Sequence, residues 1–98
     1  MPDFRDVDPR ELRITAARRS GPDPYKLQKQ IAAFGSSAVG MPPPWVYKAS
    51  DGALVLYNGV TRAARIAKMA PGTTIRVLVV GRPKRPFAAE PKIGDFIP

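Results

Sequence analysis

The sequence predicts a small α/β (α+β) domain, a sheet containing a hairpin together with two to three helices, and three stretches predict it. "WVYKA", residues 45–49, and "ALVLY", residues 53–57, are β-rich runs on either side of an Asp-Gly turn at 51–52, which is a hairpin signature. Leu27, Ile31 and Phe34 recur at helical spacing behind Asp23-Pro24. "TIRVLVV", residues 74–80, is mostly β-branched and apolar, as a well-buried strand should be.

The elements follow in chain order. "VDPREL" opens with an extended piece and one helical turn, and "TAARRSGPDP", 15–24, is a loop rich in turn formers. In the first long helix Asp23 can cap free backbone N–H groups. Pro24 fits the first helical position, and Gly35 supplies the left-handed residue that ends the helix. Lys26, Lys29 and Gln30 fall off its apolar stripe and face solvent or ligand. Residues 35–44 form a loop stiffened by Pro42, Pro43 and Pro44. After the hairpin, a second helix runs from about Gly59 to Met69 and stops at Pro71-Gly72. Its buried face is Val60, Ala63, Ala64, Ala67 and Ala70, and such small side chains imply close packing on a sheet. The whole of 1–98 reads as a single domain. Its tail, 81–98, carries Pro83, Pro86, Pro91 and Pro98 and cannot be regular throughout; Phe87, Ile93, Phe96 and Ile97 are expected to dock it partly.

Composition narrows the chemistry. The chain has no cysteine and no histidine, which removes disulfides, thiol nucleophiles, histidine bases and histidine-ligated metals. No apolar run reaches the ~18–20 residues of a membrane span, and the mixed-charge start "MPDFRDVDPRELR" lacks the apolar core of a signal peptide. The formal net charge is +8, concentrated in residues 36–98 with 9 basic against 3 acidic side chains. Such a surface attracts polyanions, nucleic acid first among them.

The stretch "NGVTRAARIA", 58–67, carries the chemistry. Two arginines, Arg62 and Arg65, stand at the start of a helix, where unpaired N–H groups already present positive charge. A cation there is unfavourable by roughly 0.3–1 kcal/mol unless an anion binds. Gly59 allows close approach to the backbone, Asn58 is a good cap, and Thr61 adds a hydroxyl. Together they predict a phosphate cradle of N–H groups, a hydroxyl and guanidinium forks. Solvated arginines decorating a polar face are the plainer alternative.

At this point the order of parts resembles the ParB/sulfiredoxin superfamily. It runs from an extended start through an Asp-Pro-capped helix ending "FG", a proline-led strand and a "DG" hairpin to "NGVTRAARIA" and "TIRVLVV". The resemblance covers residues 7–80. It implies a mixed sheet and a phosphate site at a Gly-x-x-Arg turn, here Gly59-Val60-Thr61-Arg62. By position Arg62 matches the phosphate-binding arginine, Thr61 a sulfiredoxin histidine, and Lys26 a lysine of the sulfiredoxin nucleotide site. Val60 stands at the sulfiredoxin cysteine, which excludes sulfinic-acid reduction. The first loop has Ala16-Ala17-Arg18 where partition proteins carry Gln-Pro-Arg.

What the resemblance implies for function is a ParB-like nuclease domain of the kind found at the C-termini of bacterial polymorphic toxins. Such a domain would be secreted, act in the cytoplasm of a target cell, and have a cognate immunity protein as partner; otherwise it is cytoplasmic. Arg62, Thr61 and Asn58 are the expected catalytic residues, and Gly59, Arg65, Lys26, Lys29 and Arg18 the expected phosphate or nucleic-acid contacts. Without histidine, the base must be a carboxylate or a metal-bound hydroxide; the second would call for magnesium or manganese, and a nucleotide stays open as a cofactor. Asp51 is a candidate base, although an aspartate at an Asp-Gly turn ordinarily serves the turn. Glu90 and Asp95 lie in the tail. The alternative function is a non-catalytic module binding nucleic acid or a nucleotide. Tyr25, Trp45, Tyr47 and Tyr57 could stack bases, but the last three lie on hairpin strands, where packing is the default role.

Overall fold

A computed structural model describes residues 1–15 and 21–97. Four strands form one mixed sheet in the spatial order β1-β4-β2-β3: β1 (Asp3–Val7), β2 (Trp45–Lys48), β3 (Leu54–Asn58) and β4 (Ile75–Gly81). β2 and β3 form the expected antiparallel hairpin. β4 returns through the helix α2 (Val60–Met69) to lie parallel to β2, and β1 closes the other edge antiparallel to β4. The α+β class and the mixed sheet expected from the sequence are therefore present. No helix among the described residues is long and apolar enough to cross a membrane.

Helix α1 (Pro24–Phe34) begins as its residues dictate. The Asp23 carboxylate accepts the N–H groups of Tyr25 and Lys26, Pro24 occupies the first turn, and Gly35 ends the helix at φ 58°. Its apolar stripe is only partly used. Leu27 packs against the core, but Phe34 is exposed, because α1 rests on α2 and not on the sheet.

Helix α2 carries the core. Val60, Ala63, Ala64, Ile66 and Ala67 are all buried, against Val46 and Leu56 of the hairpin, Ile75 and Val77 of β4, and Leu12 and Ile14 of the N-terminal segment. Burying a side chain such as Ile66 contributes about 1.5–3 kcal/mol. Of the expected face, Ala70 is only partly covered, while Ile66 and Arg65 join it.

The tail packs onto the N-terminal segment. Ile93 is fully buried and Ile97 nearly so. Arg13 lies beside β3, with its N–H to the Leu54 carbonyl at 2.8 Å and its carbonyl accepting from Leu56 at 2.9 Å. The next layer is the tail itself: Ile14 N–H donates to the Pro91 carbonyl and Ile93 N–H to the Leu12 carbonyl, both at 2.9 Å. The edge of β3 is thus covered by chain from both ends of the sequence.

Candidate functional site: the cleft at the tip of α2

Gly59 is the turn between β3 and α2. It sits at φ 98°, in the left-handed region, and serves as the helix N-cap. Having no side chain, it makes no capping hydrogen bond, and no acidic residue stands in the first turn. Asn58, expected as a cap, lies one residue outside that position and does not cap. Among the described residues no side chain caps the first-turn N–H groups and no acidic residue offsets the positive end of the helix.

The glycine is also a spatial necessity. A Cβ at residue 59 would lie 2.8 Å from Arg62 Nη2 and 2.8 Å from Pro44 Cβ. The Arg62 guanidinium thus folds back directly over the turn. Its Nε is buried and has no hydrogen-bond partner among the described residues. A buried donor without an acceptor is costly.

Around this tip lies a cleft of about 200 Å³ lined by Lys26 and Gln30 of α1 and by Asn58, Gly59, Val60, Thr61 and Arg62. Five of the residues expected at the phosphate or in catalysis, Lys26, Asn58, Gly59, Thr61 and Arg62, thus share one wall-to-wall space. Its donors are an ammonium, a guanidinium, amides and a hydroxyl. That set suits an anion; it offers a divalent cation no carboxylate or imidazole. Among the described residues no group of three or more His, Cys, Asp or Glu side chains could hold a metal ion.

Arg65 departs from its expected role. It is 1% exposed, and its guanidinium is consumed inside the protein. Nη1 donates to the carbonyls of Gly35 at 2.8 Å and Ser37 at 2.7 Å, and Nε donates to Gln30 Oε1 at 3.3 Å. Nη2 rests on Met41 Sδ, and the group stands 5.3 Å from the Phe34 ring centre. Burial pushes its pKa down, yet an arginine stays charged. Arg65 therefore ties the end of α1 and the following loop to α2 and, contrary to the expectation of a phosphate contact, does not line the cleft. A second space of about 240 Å³, lined by Gln30, Phe34, Met41 and Pro42 among others, lies on the far side of Arg62 and reaches Arg65.

Lys29 does not line the cleft; its ammonium stands 5.1 Å from the Tyr25 ring on the exposed side of α1. Arg18 lies outside the described residues. Asp51 is occupied: its carboxylate accepts from the backbone N–H groups of Ala53, Phe87 and Ala88, which hold its pKa below the ordinary value. Asp95 accepts from Lys92 N–H. Neither lines the cleft. Gln30, which sequence reasoning noted only as off the apolar stripe, proves to touch both Arg65 and the cleft.

No family model matches the chain, and no curated protein or solved structure matches it.

Proposed function

We propose that the chain is a ParB-like domain that takes a phosphodiester of nucleic acid into the cleft at the tip of α2. The observation that carries this is the Arg62 guanidinium laid over Gly59, its Nε buried and without a partner among the described residues, beside helix N–H groups that no described side chain caps. A phosphate oxygen there would receive charge-assisted hydrogen bonds from the guanidinium edge that lines the cleft and from the helix N–H groups. Lys26 adds a further cation to the same space. The net charge of +8 supports a polyanion over an isolated phosphate.

Cleavage of that phosphodiester is the activity the ParB-like reading assigns first. Arg62 would stabilise charge developing on the phosphoryl oxygens, and Thr61 and Asn58 would orient them. The lining side chains supply charge and orientation. They include no group suited to remove a proton from water, which favours the alternative, a module that binds without cutting. If the domain cuts, the toxin setting follows as part of the same proposal: a target-cell cytoplasm and a cognate immunity protein.

The test incubates labelled DNA and RNA with the protein in magnesium or manganese buffer, and separately measures binding by anisotropy between about 50 mM and 200 mM salt. Cutting that Arg62→Ala abolishes makes the protein a nuclease. Salt-sensitive binding without cutting, weakened by the same change, makes it a binding module. Neither cutting nor binding ends the proposal.

A further inference from the structure

The helices and the N-terminal segment cover one face of the sheet; the other is largely bare. Val46 and Leu56 point into the core, so their neighbours Trp45 and Tyr57 point the opposite way, and both are exposed, at 42% and 56%. Their rings are stacked, parallel to within 1° with centres 6.3 Å apart, and Tyr47 joins them 5.1 Å from Tyr57, so only the faces not turned to one another are free for a base. Across the sheet Trp45 is in register with Leu78, and Leu78 with Phe4, which is 47% exposed. The tail stays at the hairpin-turn end, where Asp51 and Ser50 hold residues 85–88. The aromatic end is left open.

That end of the sheet is also the end at which the cleft lies, on the face covered by the helices. Asn58, which lines the cleft, directly follows Tyr57 and is the register partner of Trp45. We propose that Trp45 and Tyr57 form a base-stacking platform for single-stranded nucleic acid, at the same end of the sheet as the phosphate cleft and linked to it around the Tyr57–Asn58 end of β3. The strandedness rests on the phosphate reading above. Planar rings offer bases their π-faces, which paired bases inside a duplex cannot use. Charge selects this occupant over a second copy, which would bring another +8 against this one. Lys26 and Arg62 line the cleft, and Arg76, which also pairs with Asp6 at 4.0 Å, stands 5.5 Å from the Phe4 ring centre.

Trp45 is the one tryptophan of the chain, so its emission reports on the platform directly. The experiment titrates the protein with oligo(dT), with oligo(U) and with a duplex of equal length, following Trp45 fluorescence and anisotropy of a labelled strand. The expected result is quenching by single strands and little by the duplex. Tyr57→Ala should lower single-strand affinity roughly five- to a hundred-fold and leave duplex binding unchanged. Which of the two oligomers binds tighter tells DNA from RNA. Tyr57 is exposed, so the variant keeps its core, and the Trp45 signal of the unaltered protein needs no variant. Strand binding that Arg62→Ala weakens, with Trp45 emission and Tyr57→Ala both silent, overturns the platform and leaves the cleft standing. Quenching that survives Arg62→Ala does the reverse. Sedimentation showing a dimer that shields Trp45 also overturns the platform.

Discussion

Arg65 Nη1 donates to the carbonyl oxygen of Gly35 at 2.8 Å, across the contact between α2 and the end of α1. The same nitrogen reaches the Ser37 carbonyl at 2.7 Å, so one guanidinium closes the end of a helix and the loop after it. Truncating it removes two hydrogen bonds from a charged donor, a kind worth about 1.5–3 kcal/mol each, although water can reach the exposed Ser37 side. Arg65→Ala should therefore cost about 2–4 kcal/mol in urea unfolding, a large part of the ~5–15 kcal/mol of a domain this size. Arg65→Lys should recover little, because an ammonium is a point donor and cannot reproduce the fork. Full stability in Arg65→Ala would show that these bonds do not hold α1.

Arg62, one turn earlier, should behave oppositely. Its Nε has no partner among the described residues, so its removal takes away a buried donor and some packing over Gly59. Arg62→Ala is expected to shift unfolding free energy by no more than about 1 kcal/mol. Its effect should fall on anion binding, reducing the slope of log affinity against log salt by about 1. Comparing the two arginines by the same pair of measurements separates the structural cation from the ligand-facing one.

Gly59→Ala tests the turn. The position lies at φ 98°, a conformation that costs a side chain of order 1–3 kcal/mol. The new methyl would also overlap Pro44 and displace Arg62. Gly72, at φ 85°, has nothing within 4 Å of its missing Cβ, so Gly72→Ala bears the backbone cost alone. Urea midpoints should fall for both and further for Gly59→Ala, and only the latter should weaken phosphate or oligonucleotide binding. Equal midpoints would mean that Pro44 and Arg62 yield freely.

Much of this was legible in the residues because the signals were local. Asp23-Pro24, the Asp-Gly turn and the β-branched run at 74–80 each act within a few residues, and α1, the hairpin and β4 form where they point. The strand β1 was harder to read as a strand, since Asp3, Arg5 and Asp6 lack an apolar alternation. Its pairing partner is β4, more than sixty residues away, and the Asp3–Arg5 and Asp3–Arg82 ion pairs at 3.1 and 2.8 Å absorb its charge. For the cleft, the glycine turn and Arg62 were readable from their spacing. The fate of Arg65 was not, because it depends on where the loop after α1 presents its carbonyls, a tertiary fact with no local signature. Phe34 fits a helical stripe yet stays exposed for the same kind of reason: α1 leans on another helix, and only part of its face is covered.

The last prediction concerns the tail. The Asp51 carboxylate accepts from Ala88 N–H at 2.7 Å, Phe87 N–H at 3.1 Å and Ala53 N–H at 3.1 Å, so a single side chain both shapes the hairpin turn and holds the chain after β4. The Ala88 bond is the largest of the causes that lower its pKa below the ordinary 3.8. With the folded value below the unfolded one, the ionised form contributes stability above the unfolded pKa, and that contribution disappears as pH falls through the folded value. Acidification below about pH 4 should therefore release residues 87–88 before the core. In an acid titration followed by amide NMR, the Phe87 and Ala88 signals should move together with one midpoint below 3.8, and Asp51→Asn should abolish that common transition. A midpoint at or above the ordinary value, or independent movement of the two amides, would mean that the carboxylate does not hold the tail.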